Sequence, residues 1–474
     1  MKSRIILVNM GRSSFLYRVI SPPMGIMYLA GYLKREIKDV EIKLINQKVK
    51  NDTPKELTKE IYQFLPDIVG LSSSTVFAGL IPLIAEKIKE SLPNCWIVLG
   101  GPHASSVKVQ AFSDCRHLDI VVPGEGEIAF KQIVESYPHK KNLKNISGII
   151  WKDETEEVIE NPGLLPVEPD LDKLPFPEYD LINIQQYWGL QSMTPLPPRK
   201  YMCLVTSRGC PYQCMWCHSI FGKKIRFCSP ERIIEEIEWL NHKYGVNEFE
   251  FLDDNFNFNK QRVIQFSELV RQKGLNIKLT FPNAIRGDLV TEDIAEALCS
   301  AGTYMSSFAL ETGSPRMQKF TCKNLDIPKF IKGIEIMVNK GVYANGFCMM
   351  GFPTETEEEL QMTIDIATNS MLHTASFFTV VPFPGTPLFE WLKQNKPEKL
   401  KNFDYMNIDF AGVRINLTDL PDDVLFYYQR KANRQFFLRP NRIYRLLKIY
   451  PRPLSLIRYV PIYLYRMTKN LFVV

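Results

Sequence analysis

At 474 residues, with 45% apolar and 23% charged residues, the chain has room for two or three domains and enough hydrophobic matter to build their cores. That balance excludes a disordered, collagen-like or disulfide-stapled chain, and no window of about 18 uninterrupted apolar residues offers a transmembrane helix. The formal net charge of +6 is a property of one end: Arg430 to Val474 carries eleven Lys and Arg and no Asp or Glu, so the remainder is mildly acidic.

In chain order, MKSRIILVNM reads as a first β-strand rather than a leader, because its apolar run is short and no small-residue cleavage site follows. The ten cysteines are scattered apart from one cluster, which points to a reducing cytoplasm. Apolar runs at Arg4–Asn9, Glu41–Ile45, Ile68–Ser72, Trp96–Gly100 and Asp119–Val122 read as buried parallel strands, separated by helical patterns such as Pro82–Ser91. Residues 1–150 are therefore expected to form an α/β, Rossmann-like doubly wound sheet. Ligands of such sheets lie beyond the carboxyl ends of the strands. Three loops stand there: Gly70-Leu71-Ser72-Ser73-Ser74-Thr75, Gly100-Gly101-Pro102-His103-Ala104-Ser105 and Pro123-Gly124-Glu125-Gly126-Glu127. Glycine lets backbone approach a flat or anionic ligand and hydroxyls bond it, although each loop alone is equally ordinary turn chemistry.

Residues 151–199 change character. Eight prolines and the acidic run Asp153–Glu157 suggest a linker that begins with a small hairpin. From Lys200 strand and helix alternate again, with strands expected at Tyr201–Thr206, Phe249–Leu252, Lys278–Phe281, Met305–Leu310, Tyr343–Met350 and Thr374–Val381. Six units over residues 200–390 suggest a partial (β/α)6 barrel, with polar and glycine residues gathered at the strand ends where barrel enzymes place their sites.

Within the first unit, KYMCLVTSRGCPYQCMWCHS carries Cys210, Cys214 and Cys217 at C-x3-C-x2-C spacing. Thiolates select iron–sulfur clusters, zinc or copper(I), and three of them leave one metal position open for an exchangeable ligand. Zinc would require a fourth ligand, and His218 is adjacent to Cys217, so their side chains diverge; plain buried thiols are the other reading. Cys203, Cys228, Cys299, Cys322 and Cys348 read as packing residues.

Residues 391–474 read as a helical region ending in a basic, aromatic tail. From Gln429 onward arginines interleave with Phe436, Phe437, Tyr444, Tyr450, Tyr459, Tyr463 and Tyr465, broken at Pro440, Pro451, Pro453 and Pro461. Three readings stay open: attachment to an anionic membrane surface, contact with nucleic acid, or helices packed on the barrel with a solvated basic face.

PPMGIMYLAGYLK, GLSSS, GGPHAS and PGEGE, in that order, resemble the cobalamin-binding domain found ahead of radical S-adenosylmethionine domains. The C-x3-C-x2-C loop, Trp216 before its last cysteine and the downstream strand ends resemble the radical S-adenosylmethionine superfamily, so the two domains together are similar to class B radical methyltransferases. The resemblance implies a 4Fe–4S cluster on Cys210, Cys214 and Cys217, with S-adenosylmethionine chelating the fourth iron beside Trp216. It implies a carboxylate for the methionine ammonium at Asp253 or Asp254, the ribose site at Glu311 and the adenine turn at Gly351. Arg286 is left between the methionine carboxylate, substrate and a structural ion pair.

Cobalamin is implied over Ser72, Ser73, Gly100, Gly101, His103, Gly124, Glu125 and Gly126. No Asp-x-His-x-x-Gly follows the first strand, where Met10-Gly11-Arg12-Ser13 stands instead, so cobalamin would bind with its own base displaced and no histidine on cobalt; His103, a tempting substitute, reads more simply as a loop residue. The chemistry implied is methylation of an unactivated carbon of a small-molecule or lipid-like substrate, fed by an external flavodoxin- or ferredoxin-type electron donor. The enzyme would be cytoplasmic, with peripheral contact at the inner membrane surface through its tail, and nucleic acid is the weaker partner. The alternatives are a cobalamin-dependent radical cyclase or oxidase without methyl transfer, and a cofactor-loaded sensor without turnover.

Overall fold

Short apolar runs alternating with amphipathic stretches build two parallel sheets in the computed structural model, which describes residues 3–13, 19–218, 220–401, 403, 405 and 415–468. The first sheet contains β1 (Ser3–Asn9), β2 (Val40–Asn46), β3 (Ile68–Ser72), β4 (Trp96–Gly100) and β5 (Ile120–Val121), all parallel, in the order β2-β1-β3-β4-β5. Side chains alternate between its two faces. Ile6, Val8, Ile97 and Leu99 enter one core, while Ile5, Leu7, Trp96 and Val98 enter the other. Burial on both faces is why these strands read as continuous apolar runs.

The expected hairpin after residue 150 exists, as β6 (Ile150–Lys152) and β7 (Val158–Glu160), but it extends the sheet as an antiparallel edge instead of opening a linker. Its turn is closed by Asp153, whose Oδ1 accepts from the amides of Thr155 and Glu157 at 2.8 and 3.0 Å. The proline-rich stretch that follows is packed. Tyr179 is buried and donates to Glu236 at 2.6 Å, Glu178 N donates to Met27 O, and Arg232 stacks on Phe176. These residues wedge between the helix Met24–Glu36 and the helix Pro230–Tyr244, so one hydrophobic core crosses the boundary between the two sheets.

The second sheet begins with β8 (Met202–Leu204). A two-residue hairpin follows, β9 (Ser207–Arg208) paired antiparallel with β10 (Arg226–Phe227). Then come β11 (Glu248–Phe251), β12 (Lys278–Ile285), β13 (Thr303–Glu311), β14 (Tyr343–Met350) and β15 (Thr374–Thr379), which with β8 make six parallel strands in sequence order. This is an open partial barrel. The helix Asp422–Phe437 packs beside β15 through Leu425, Ala432 and Phe436, with Gln429 donating to Thr379 at 3.1 Å. For that helix, the reading of a tail packed on the barrel holds. Among the described residues, no helix is long and apolar enough to cross a membrane.

Candidate active site

The cysteine loop is held at both ends. The β9–β10 hairpin closes it, and Gly209, at φ +93°, lets the chain turn where a Cβ would stand 2.5 Å from Lys224 O. Cys210 N donates to Gly222 O, and Cys217 N to Cys214 O at 3.1 Å. Between them Met215 is pinned: its amide donates to Thr321 O at 3.0 Å, its carbonyl accepts from Leu388 N at 2.9 Å, and its side chain packs with Met317, Phe352 and Leu388. The backbone of the middle cysteine is thereby fixed by two other barrel loops.

A hydrogen bond from Cys217 draws the Cys214 thiol below its ordinary pKa against the opposing effect of burial, and the Lys323 ammonium adds to the thiolate's stability. The same bond, with burial, raises Cys217, while burial raises Cys210. Among the described residues no group of three His, Cys, Asp or Glu is gathered as for a single metal ion. The three thiols are instead spread along one loop within electrostatic reach of each other, a soft donor set suited to a larger iron–sulfur centre. His218 takes no part: its Nδ1 lies 3.2 Å from Ser106 Oγ, in the helix Gly101–Val107 of the first sheet.

The acidic pair after β11 is split by its surroundings. Asp253 is buried and accepts from Thr206 N at 3.3 Å, Thr206 Oγ1 at 2.8 Å and Ser207 Oγ. It fixes the end of β8. Asp254 is exposed and close enough to Cys210 to raise its pKa, and its own carboxyl is raised first by partial burial and then by Asp253. Next to it, Asn255 is 2% exposed, yet among the described residues neither its amide nitrogen nor its amide oxygen has a partner. A buried amide without partners is costly and marks a place for a ligand or water. The sequence reading passed over Asn255 because an amide in a polar loop carries no spacing signal.

Of the roles expected for Arg286, the structure shows the ion pair. It makes a bidentate pair with Asp288 at 2.9 and 2.8 Å and lies 3.9 Å over the ring of Tyr212 in the cysteine loop. Glu311 ends β13 at φ +63°, a left-handed conformation that costs a non-glycine residue about 1 kcal/mol or more, beside a register shift against β14. Its buried carboxyl has a raised pKa and faces Lys323 Nζ at 3.8 Å. Gly351 turns at φ +96°, its amide and that of Phe352 donating to Glu355 Oε2 at 2.7 and 3.1 Å. Phe352 packs on Trp216, with ring centroids 5.3 Å apart.

The loops of the first sheet face this mouth. Ser106 meets His218, and Gly385, in the last barrel loop, sits where a Cβ would be 2.9 Å from Ser106 O. Gly100 and Gly101 differ: a Cβ on Gly100 meets nothing within 4 Å, whereas on Gly101, at φ +81°, it would stand 2.6 Å from Ser72 Oγ. Ser73 N donates to Gly100 O and His103 N to Ser73 O, so Ser72, Ser73 and Gly101 tie two strand ends together. His103 is buried with Nδ1 3.3 Å from Thr75 Oγ1, and burial lowers its pKa below the ordinary histidine value. Gly124 and Gly126 meet only loose contacts, the nearest a Cβ would find being 3.4 and 3.9 Å away.

The Glu125 carboxylate is taken up by two ion pairs. One of its oxygens accepts from Arg208 at 2.6 Å and the other from Arg226, while Glu127 takes the second Arg208 nitrogen at 2.7 Å. The carboxylate is engaged in joining the two sheets, a role that pairing across 83 residues of sequence hides.

A doubly wound sheet set against an open barrel that carries three thiols on its first loop is an α/β architecture of two joined units. Residues 204–367 match the model of the radical SAM superfamily, and residues 17–134 that of the B12 binding domain. A Pyrococcus horikoshii protein described as an uncharacterized methyltransferase is 33% identical over 446 residues, covering 92% of this chain and 93% of that one. The cytidylyl-2-hydroxyethylphosphonate methyltransferase of Streptomyces wedmorensis is 26% identical, over 93% and 91% of the two chains. In fold, the chain is similar to the cobalamin-dependent radical enzyme OxsB (TM-score 0.72, 18% identity, 98% of this chain and 71% of that one) and to TsrM of Kitasatospora setae (0.66, 18%, 83% and 75%). The chain belongs to the cobalamin-dependent radical S-adenosylmethionine methyltransferase family. Its cofactors are a 4Fe–4S cluster, S-adenosylmethionine and cobalamin.

Proposed function

We propose that the enzyme methylates an unactivated carbon of a small-molecule or lipid-like substrate held between the barrel mouth and the loops of the first sheet. The observation that carries this is Asn255, 2% exposed with neither amide atom partnered among the described residues, next to Asp254, whose carboxylate lies within electrostatic reach of Cys210. When bound, the cofactors supply reductive cleavage of S-adenosylmethionine and a transferable methyl group.

This chain's residues bind and orient. Cys210, Cys214 and Cys217 hold the cluster, and Trp216, braced on Phe352, walls the S-adenosylmethionine site. Asp254, exposed beside Cys210, takes the methionine ammonium as a charge-assisted acceptor, and Asn255 offers a donor and an acceptor alongside. Glu311 bonds the ribose hydroxyls and the Gly351 turn lies against adenine. Gly100, Gly124 and Gly126 border the corrin, while Ser72, Ser73, Gly101 and His103 shape its floor from beneath. Glu125 holds the sheet in place over the mouth through Arg208 and Arg226. Electrons come from a flavodoxin- or ferredoxin-type donor, and the basic tail rests on an anionic membrane surface.

A second reading, radical cyclisation or oxidation without methyl transfer, is favoured by a relative in Cereibacter sphaeroides named as an anaerobic magnesium-protoporphyrin IX monomethyl ester cyclase, 25% identical over 82% of this chain and 63% of that one. Feeding the anaerobically reconstituted enzyme S-adenosylmethionine with a deuterated methyl group, together with a cell extract containing lipids, separates the two. Labelled product supports methylation, 5′-deoxyadenosine without label supports the second reading, and neither supports a sensor. Cys214→Ala abolishes cleavage; continued 5′-deoxyadenosine formation in that variant removes the cluster from these cysteines.

A further inference from the structure

At the opposite end of the barrel from the cysteine loop, the helix Glu357–Asn369 runs out against the tail helix Pro440–Ile449. An open cavity of about 730 Å3 lies between them, lined by Thr368, Met371, Arg439, Arg442, Tyr444 and Arg445 among others. Three guanidinium groups converge on it. Arg442 is 3% exposed and donates to the carbonyls of Leu372 at 2.7 Å and Ser370 at 3.4 Å, capping the end of the helix, while its Nε is buried without a partner. Arg439 Nη1 donates to Thr368 O at 3.3 Å and Arg445 Nη1 to Met371 O at 3.4 Å. Among the described residues none of the three is paired with a carboxylate. Burial, then Arg445 and Arg439, push the Arg442 guanidinium down to about 9, the mark of positive charge gathered without an anion.

The helix that carries these arginines also exposes apolar side chains. Ile443, Tyr444 and Leu447 are 45%, 68% and 45% exposed, Tyr444 lining the cavity, and Leu438 just before the helix is 64% exposed. Beyond it Leu454, Ile457, Val460 and Leu464, spaced by three or four residues, are each about half exposed or more. Isolated exposed leucines are unremarkable, but eight such side chains between residues 438 and 464, interleaved with basic residues and no acidic one, match an interfacial surface.

We infer that Arg439, Arg442 and Arg445 form a phosphate cradle for the headgroup of an anionic phospholipid, with the exposed apolar side chains set among the acyl chains. This deepens the membrane contact proposed above and rests on it. Because the cradle lies at the amino-terminal end of the strands, docking anchors the enzyme with its mouth turned away from the bilayer. Membrane attachment is therefore no argument for a lipid substrate.

The test is flotation of the full-length, cluster-reconstituted enzyme with phosphatidylcholine vesicles, with and without phosphatidylglycerol, at 0.1 M salt. The Arg439→Gln/Arg445→Gln double variant leaves the buried Arg442 cap in place. It is expected to lose about tenfold or more in partitioning to anionic vesicles at unchanged melting temperature. Leu454→Ser/Ile457→Ser is expected to weaken binding to both vesicle types. Equal partitioning of wild type and the arginine variant overturns the cradle while sparing the membrane contact; failure of the wild type to float on any vesicle overturns both. A thermal shift by inorganic phosphate that needs the arginines, without flotation, assigns a free-phosphate site instead, and arginine-dependent RNA binding without flotation assigns a nucleic-acid surface; either outcome overturns the inference.

Discussion

Arg208, in the β9–β10 hairpin that closes the cysteine loop, lies 2.6 Å from Glu125 and 2.7 Å from Glu127 of the first sheet's last βα loop and is almost fully buried. Removing one side of such a pair leaves a buried charge uncompensated, at a cost of about 3–5 kcal/mol. Arg208→Met is therefore expected to lower the melting temperature sharply and to make the segment between the sheets sensitive to limited proteolysis. Unaltered proteolysis would show that the ion pairs do not hold the sheets together. The pairing also has a pH signature. Burial alone would raise Glu127, but Arg208 holds it below the ordinary carboxylate value, so its stabilisation is complete above about pH 4.3 and is lost as pH falls through its depressed pKa. Glu127→Gln is therefore expected to be less stable at neutral pH and to show a flatter acid limb, and an acid limb identical to that of the wild type would show that the carboxylate contributes nothing.

Asp253 and Asp254 should separate cleanly. Asp253→Asn weakens the carboxylate bonds to Thr206 and Ser207 and is expected to appear first as lost thermal stability. Asp254→Asn is expected to keep the fold and lose about 10- to 100-fold in S-adenosylmethionine affinity, the size of one charge-assisted hydrogen bond. Equilibrium binding and thermal melting on both variants decide. The reverse pattern moves the ammonium site to Asp253.

The paired glycines give a similar contrast. Gly101→Ala forces a Cβ to 2.6 Å from Ser72 Oγ at φ +81°, and is expected to cost more than about 1 kcal/mol of stability. Gly100→Leu places its side chain in open space and is expected to fold normally while failing to retain cobalamin, read from the corrin absorbance after reconstitution. A cobalamin-replete Gly100→Leu protein would put the corrin elsewhere.

Glu355 carries a pH dependence of the opposite sign. Burial raises its carboxyl to about 8, although the amides of Gly351 and Phe352 favour the ionised form, and its Oε1 is buried without a partner. A raised carboxyl contributes stability below its unfolded pKa and loses it as pH climbs toward the folded value, so the window is about pH 4.3 to 8. Melting temperatures between pH 6 and 9 should fall in the wild type and fall less in Glu355→Gln, whose amide can still accept from both backbone groups. Parallel curves would mean that Glu355 is charged throughout.

The strands were legible because both faces of a parallel sheet are buried, which writes each one as an apolar run; β3, β4 and β14 match their expected limits. The cysteine loop was legible because its donors are close in sequence. The β9–β10 hairpin was not, since two-residue strands carry no periodicity. Nor was the role of Glu125, whose partners Arg208 and Arg226 stand 83 and 101 residues away and look like ordinary loop charges until the sheets are docked. The split between Asp253 and Asp254 is likewise tertiary: it depends on which carboxylate the end of β8 reaches.

Gln191 joins two distant parts of the chain, and Pro195 adds a second bond to one of them. The Gln191 carbonyl accepts from Ile20 N at 2.9 Å, its side-chain oxygen accepts from Tyr459 at 2.5 Å, and nearby Pro195 O accepts from Tyr450 at 2.9 Å. The stretch expected to be a tether is thus a keystone between the first sheet and the tail. The halves of this enzyme are consequently poor candidates for module exchange: a barrel cut at residues 200 and 390 would be born with its seam open. New substrate pockets are better sought by changing the loops around the mouth than by shuffling the units that carry them.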